Sequence, residues 1–223
     1  MRKLKLAVMI SGSGTNLQAL IDACTMQDYP AEIVVVVSNR PDAYGLERAT
    51  IAGIPTECVD HRDYETREDF EDILHDRLKE HEVELVCLAG FMRLLTATFV
   101  GKWKDRMINI HPSLLPSYKG LQTHARAIED GVRFGGCTVH FVRPEMDDGP
   151  IIMQAAVPIS ADETEESLSK KVLAYEHILY PEAVRLVAEG KVRVSGQKCI
   201  FKDADLGSEG LISPLPAQPS ENN

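Results

Sequence analysis

Leu4-Lys5-Leu6-Ala7-Val8-Met9-Ile10-Ser11-Gly12-Ser13-Gly14-Thr15-Asn16-Leu17 runs from an almost unbroken apolar stretch through a glycine-containing turn into a helical pattern. An apolar run without polar alternation marks a strand covered on both faces, as in a parallel sheet. Leu17, Leu20 and Ile21 then share one face of a helix from about Asn16 to Met26, with Asn16 or Thr15 able to cap it. The same unit repeats outward. Ala31 to Ser38 is a second buried strand, Ala43 to Ala52 a helix closed by Gly53, and a short strand lies near Cys58. Leu85 to Ala89 is a further buried strand. This alternation predicts an α/β fold: a doubly wound, mostly parallel twisted sheet with helices on both faces and right-handed crossovers.

The second half is less regular. Met107 to His111, Cys137 to Val142 and Ile151 to Ile159 read as strands, a loop spans Pro112 to Gln122, and a helix runs from about Thr123 to Asp130. Thr164 to Ala188 is a long helix with acids at its start and Lys171 and Arg185 later, in keeping with the helix dipole. Short strands follow near Val192 and Ile200. From Asp205 to Asn223 the chain is Gly, Ser, Pro, Asn and Glu with few apolar residues, the composition of a mobile tail. The expected division is therefore a domain over 1–204 and a tail over 205–223, with 1–100 as a phosphate-binding half and 101–204 as a catalytic half.

Composition narrows the function. The 223 residues are 44% hydrophobic and carry 24 Lys plus Arg against 34 Asp plus Glu, a formal net charge of -10. Nucleic-acid and membrane-surface binders use a basic footprint, so a small-molecule partner is favoured. Between Asp60 and Glu84 eleven acids face four bases, and Phe70, Ile73, Leu74 and Leu78 recur there at helical spacing. That pattern reads as an amphipathic helix with a solvated acidic face. Cys24, Cys58, Cys87, Cys137 and Cys199 are odd in number and widely spaced, which suits reduced thiols in a cytoplasmic protein rather than a metal site. No stretch has the roughly 20 apolar residues of a membrane helix.

In open α/β sheets the ligand crevice lies beyond the carboxyl ends of the strands. Four segments meet that requirement. Ser11 to Asn16 offers free backbone N–H groups at a helix start, a place for a phosphate. Leu17 occupies the third glycine position of a dinucleotide fingerprint, and Ser38-Asn39-Arg40 supplies no acid for a ribose diol, so a phosphate monoester fits better than NAD. Ala89-Gly90-Phe91-Met92-Arg93-Leu94-Leu95 provides an apolar wall with exposed backbone, suited to a flat heteroaromatic ring. In Asn109-Ile110-His111-Pro112-Ser113-Leu114-Leu115-Pro116, alternation puts Asn109 and His111 on one face. An amide donor beside an imidazole can polarise a carbonyl and move a proton, the two needs of acyl transfer. Met146-Asp147-Asp148-Gly149-Pro150 offers a carboxylate on a turn that can orient the histidine.

Taken together, Ser11 to Leu17, Val37-Ser38-Asn39-Arg40, Leu88 to Arg93, Asn109 to Pro116 and Asp147-Asp148-Gly149-Pro150 resemble the phosphoribosylglycinamide formyltransferase family, in order and at its spacing, over residues 4 to 200. The resemblance implies a Rossmann-like formyltransferase fold with 10-formyltetrahydrofolate as co-substrate and no metal. It implies that Gly14, Thr15 and Asn16 hold the phosphate of phosphoribosylglycinamide and that Glu176 contacts its ribose or glycinamide end. It implies further that Met92, Arg93, Leu94 and Leu95 with Arg143, Pro144, Glu145, Met146 and Asp147 line the folate pocket, that Arg67 lies near the far end of the folate, and that Asn109, His111 and Asp147 form the catalytic trio. The partners implied are small molecules, for a monomer or homodimer. Asp148, where glycine is common, and Gln122, where some relatives carry histidine, depart from the pattern.

The implied mechanism is direct transfer: the amine attacks the formyl carbon, Asn109 and protonated His111 stabilise the oxyanion, and Asp147 orients His111. Methionyl-tRNA formyltransferase and formyltetrahydrofolate hydrolase share the trio, but the first is expected to bring a basic surface and a carboxyl-terminal domain, the second an amino-terminal regulatory domain. A catalytically silent phosphosugar-binding module would have no use for Asn109, His111 and Asp147 together. His124 and His140, close to the catalytic strands, are candidates to support them.

Overall fold

The computed structural model describes residues 2–203 and Leu211, so the expected tail over 205–223 lies, Leu211 apart, outside the described residues. In chain order the elements are β1 (Leu4–Ile10), α1 (Thr15–Cys24), β2 (Ala31–Ser38), α2 (Tyr44–Ile51), β3 (Thr56–Cys58), α3 (Arg67–Glu80), β4 (Leu85–Leu88) and α4 (Ala97–Lys102). They continue as β5 (Met107–His111), α5 (Thr123–Glu129), β6 (Phe134–Phe141), β7 (Ile151–Pro158), α6 (Glu165–Ala188), β8 (Val192–Ser195) and β9 (Lys198–Phe201).

Seven strands form one sheet in the order β3-β2-β1-β4-β5-β6-β7. The first five are parallel, while β6 and β7 run antiparallel. The expected mostly parallel, doubly wound sheet is what forms, with β8 and β9 as a separate hairpin. β1 pairs with β2 on one side and β4 on the other, so Leu6 to Ile10 are fully buried, as their unbroken apolar run requires. Leu6, Val8 and Ile10 face a core shared with Leu17 and Leu20 of α1 and with Leu168, Val172 and Tyr180 of α6. Ala7 and Met9 face the opposite core, made with Phe70, Leu74 and Leu78 of α3 and with Phe99 and Trp103. Helices therefore cover both faces. Among the described residues no helix is long and apolar enough to cross a membrane.

Several local expectations are corrected. Neither Asn16 nor Thr15 caps α1; Gly14 does, in the left-handed conformation at φ 70, with no side-chain cap. Its ideal Cβ would stand 2.7 Å from Gly45 Cα, so backbone packing against α2 fixes glycine there. On α3, capped by Thr66, Ile73 is exposed and Glu71 is buried, because the face against the sheet is set by Phe70, Leu74 and Leu78. The short helix α4 was absent from the sequence reading; Thr96 caps it and Phe99 and Val100 anchor it. β6 begins at Phe134, three residues before the expected start, where Gly135 and Gly136 carry no strand signal.

Candidate active site

The sheet reverses its winding between β1 and β4, and the loops after β1, β4 and β5 all open at that end. On β5 the registers Leu88↔Asn109 and Asn109↔His140 place Asn109 between β4 and β6. Ile108 and Ile110 pack into one core, which leaves Asn109 and His111 on the other face as period-two alternation requires.

His111 is buried, and each of its ring nitrogens faces an oxygen. Nε2 lies 3.0 Å from the Tyr118 carbonyl, to which it donates, and Nδ1 lies 3.5 Å from Asp147 Oδ2. A carbonyl and a carboxylate can only accept, so the ring serves both sides as a donor in its protonated form alone. The loop carrying Tyr118 is pinned from the strands: Leu115 N donates to Thr138 Oγ1 at 3.1 Å, Thr138 Oγ1 donates to the Ser113 carbonyl at 2.7 Å, and Gln154 Nε2 donates to the Leu115 carbonyl at 2.9 Å.

Of the two adjacent acids, the geometry selects Asp147. Its side chain is 12% exposed, and Oδ2 also accepts from Gly120 N at 2.8 Å. Asp148 turns outward to pair with Lys119. The turn is tight because Gly149 lies under Phe141, whose carbonyl oxygen would stand 1.6 Å from any added Cβ.

His140, the candidate support, bonds Asn109. Its Nδ1 donates to its neighbour's carbonyl, Phe141 O, at 3.0 Å, and its Nε2 lies 3.3 Å from Asn109 Nδ2. Burial pushes this imidazole below the ordinary histidine value, an effect that the Phe141 carbonyl and Asp147 oppose. A neutral ring with its proton on Nδ1 accepts at Nε2, so it holds one N–H of Asn109 and fixes which end of the amide is the donor. Asp147 Oδ1 is 3.9 Å from the same Nε2, too far to bond. His124 is likewise lowered, chiefly by burial.

Beyond β1, Asn16 Nδ2 donates to Glu176 Oε2 at 2.7 Å, joining the start of α1 to α6. Glu176 is buried, which raises its carboxyl above the usual value against the opposing bond from Asn16. Asn16 Oδ1 is buried with no partner among the described residues, an acceptor available to a donor on a ligand. Gly14, Thr15, Asn16 and Glu176 are thus one cluster.

Met92 is 69% and Met146 50% exposed, and Leu94 is also exposed, large apolar groups left uncovered on the loops after β4 and β6. Leu95 packs inward instead. Arg93 lies over the Phe70 ring at 5.6 Å. Arg143 is spent elsewhere: Nη2 bonds Asp105 at 2.6 Å and Nη1 its neighbour's carbonyl, Val142 O. Pro144 and Glu145 sit on the exposed turn after β6, and Arg67 opens α3 at the surface.

Sequence reasoning missed two features. Glu71 accepts from Thr96 N at 2.8 Å and from Thr96 Oγ1, tying the wall loop to α3; its signal was an acid beside Phe70, Leu74 and Leu78 on the apolar face. An open cleft of about 430 Å3 beside Asp147 is lined in part by Gln197, Lys198 and Cys199 of the hairpin, which carried no motif. Among the described residues no group of three or more His, Cys, Asp or Glu is arranged to hold a metal ion.

The formyl transferase family model matches residues 4–184. The phosphoribosylglycinamide formyltransferase of Haemophilus influenzae is 44% identical over 209 residues, covering 94% of this chain and 99% of that protein. The trifunctional purine biosynthetic protein adenosine-3 of Chironomus tentans is 52% identical over 199 residues, 88% of this chain, but the chain spans only 14% of its length. The crystal structure of glycinamide ribonucleotide transformylase 1 from Symbiobacterium toebii superposes with a TM-score of 0.88 at 47% identity, over 90% of this chain and 95% of that one.

Proposed function

The chain belongs to the formyl transferase family, and from that premise we propose that it moves the formyl group of 10-formyltetrahydrofolate to the glycinamide amine of 5'-phosphoribosylglycinamide, a step of purine biosynthesis. The observation that carries this reading is the convergence of Asn109, His111 and Asp147 at the end of β5, with Asp147 Oδ2 3.5 Å from His111 Nδ1. In the same reading residues 1–204 form the formyltransferase domain, its first half holding the phosphate and its second half the trio.

Each group has a role. The N–H groups at Gly14, Thr15 and Asn16 hold the phosphate at the start of α1. Asn16 and Glu176 fix the sugar and glycinamide end. Met92, Leu94 and Met146 enclose the pteridine, and the free N–H of Asn109 points at the formyl oxygen. Attack by the amine forms the new C–N bond and puts negative charge on that oxygen, where Asn109 and His111 donate. His111 gives up the Tyr118 carbonyl for this purpose, while Asp147 holds Nδ1. The amine then loses a proton as N10 of the folate gains one and the old C–N bond breaks, so no covalent enzyme intermediate is needed.

The test is release of tetrahydrofolate on mixing the chain with 10-formyltetrahydrofolate. Release that requires phosphoribosylglycinamide is the expected result. Equal release with no acceptor present would make the chain a hydrolase, and release with methionyl-tRNA alone would make it a tRNA formyltransferase.

A further inference from the structure

Ser11 belongs to neither ligand cluster, yet it joins them. It follows β1, the strand flanked by β2 and β4, so the loops after those two strands lie on either side of it. Its Oγ donates to Asn39 Oδ1 in the loop after β2 at 2.6 Å and accepts from Met92 N in the loop after β4 at 2.8 Å. Ser11 and Asn39 are both buried. Asn39 Nδ2 in turn lies 3.1 Å from His61 Nδ1, a nitrogen that also lies 3.0 Å from the Asn39 backbone carbonyl; the amide is oriented at Ser11 by Met92 N–H, which can only donate and so leaves the hydroxyl proton to Asn39 Oδ1. The one hydroxyl proton is committed to Asn39, leaving a lone pair for Met92, and each of the two bonds polarises the hydroxyl in favour of the other. One residue on, the Gly12 carbonyl accepts from Gly45 N at 3.0 Å, so the phosphate loop is braced from α2 as well.

We propose that Ser11 is a positioning residue that couples the two substrate sites: it fixes the Met92 backbone relative to the phosphate loop, so that filling one site orders the other. The proposal rests on the ligand assignments made above. A shift of the Gly12 to Asn16 loop onto a phosphate moves Ser11, and Met92 follows because its N–H has that hydroxyl as partner. By linkage the effect is mutual: folate tightens the nucleotide by the factor with which the nucleotide tightens folate.

The experiment is a calorimetric titration of the full chain with a non-transferable folate analogue, alone and with saturating phosphoribosylglycinamide, for wild type, Ser11→Ala and Ser11→Thr. In wild type the nucleotide should tighten the analogue severalfold. In Ser11→Ala each single affinity should fall about three- to tenfold, the worth of one buried hydrogen bond, and the coupling factor should drop to one. Ser11→Thr keeps the hydroxyl and should restore it. In turnover, the loss should appear in KM more than in kcat. A merely structural Ser11 would lower both affinities and the melting temperature while leaving the factor unchanged. That outcome, or a factor of one in wild type, overturns the proposal. If Ser11→Ala does not fold, Asn39→Ala removes the acceptor that fixes the Ser11 hydroxyl proton, and the coupling factor should fall toward one; an unchanged factor overturns the proposal. Should wild type bind neither ligand, the functional reading fails and the coupling with it. Amide exchange at Met92 without ligand, faster in Ser11→Ala than in wild type, then decides whether Ser11 holds the loop.

Discussion

Asp147 and Asp148 are neighbours of the same chemistry, and their side chains do different things. Asp147 Oδ2 bonds Gly120 N and faces His111, whereas Asp148 pairs with Lys119 at the surface. Asp147→Asn should lower kcat by on the order of a hundredfold while changing substrate affinities little, because the carboxylate acts on the histidine as charge develops and an amide can select the wrong tautomer. Asp148→Asn should stay within about twofold of wild type, as befits an exposed pair. Steady-state kinetics of the two variants check this, and equal losses would remove Asp147 from the mechanism. Gly14→Ala is expected to cost about 1–3 kcal/mol of stability through its left-handed backbone and its contact with Gly45, so thermal unfolding rather than phosphate affinity reports it. Asn109 and His111 were legible at this scale because alternation on a strand assigns faces. The choice between Asp147 and Asp148 was not legible from the turn itself, since both fit its composition and only the backbone at φ 52 turns Asp147 inward.

Elements were legible where a periodic apolar pattern met a clean cap. α6 begins at Glu165 behind a Thr164 and Ser167 capping box, and α3 begins behind Thr66. The reading failed where tertiary contact overrode pattern. Counting the acids of α3 as one solvated face overlooked Glu71, whose carboxylate holds Thr96 N and Oγ1 while Thr96 Oγ1 accepts from Phe99 N at 3.2 Å to cap α4. That one carboxylate therefore links α3, the wall loop and α4. Glu71→Ala leaves the half-buried N–H and hydroxyl proton of Thr96 without their acceptor, and should cost about 1–3 kcal/mol in urea unfolding. Glu71→Gln keeps an acceptor oxygen and should cost less. A loss in Glu71→Ala no larger than that of an exposed neighbour such as Glu68→Ala would show that Thr96 finds another partner. The same contact explains why α4 escaped the sequence reading: with six residues it is too short to show a period, and its cap is completed from another helix.

At the scale of the whole molecule, burial of histidine sets how stability responds to pH. His140, His124, His177 and His75 are all pushed below the ordinary histidine value, in each case mainly by burial, with His140 the most enclosed. A histidine whose folded value is depressed binds fewer protons in the native state than in the unfolded chain between the two values. Stability then rises with pH across that window and is lost as pH falls below about 6.5, the unfolded value. Each histidine that stays neutral contributes up to about 1.4 kcal/mol per pH unit to that slope. Glu176 acts in the opposite sense: its raised carboxyl makes the native state the better proton binder, so its share of stability is full below its unfolded value and declines as pH rises through the folded one. The Glu176 window opens upward from about pH 4.5 and the histidine window downward from about 6.5, with four histidines set against one carboxyl. Urea unfolding of wild type from pH 8 to pH 5 should therefore show stability falling below about pH 6.5. In His140→Gln, where an amide oxygen can still accept from Asn109 and nothing titrates, the fall should be shallower. Parallel curves for wild type and variant would mean that His140 takes up its proton as readily in the native state as in the unfolded chain, and the neutral ring that orients Asn109 would have to be abandoned.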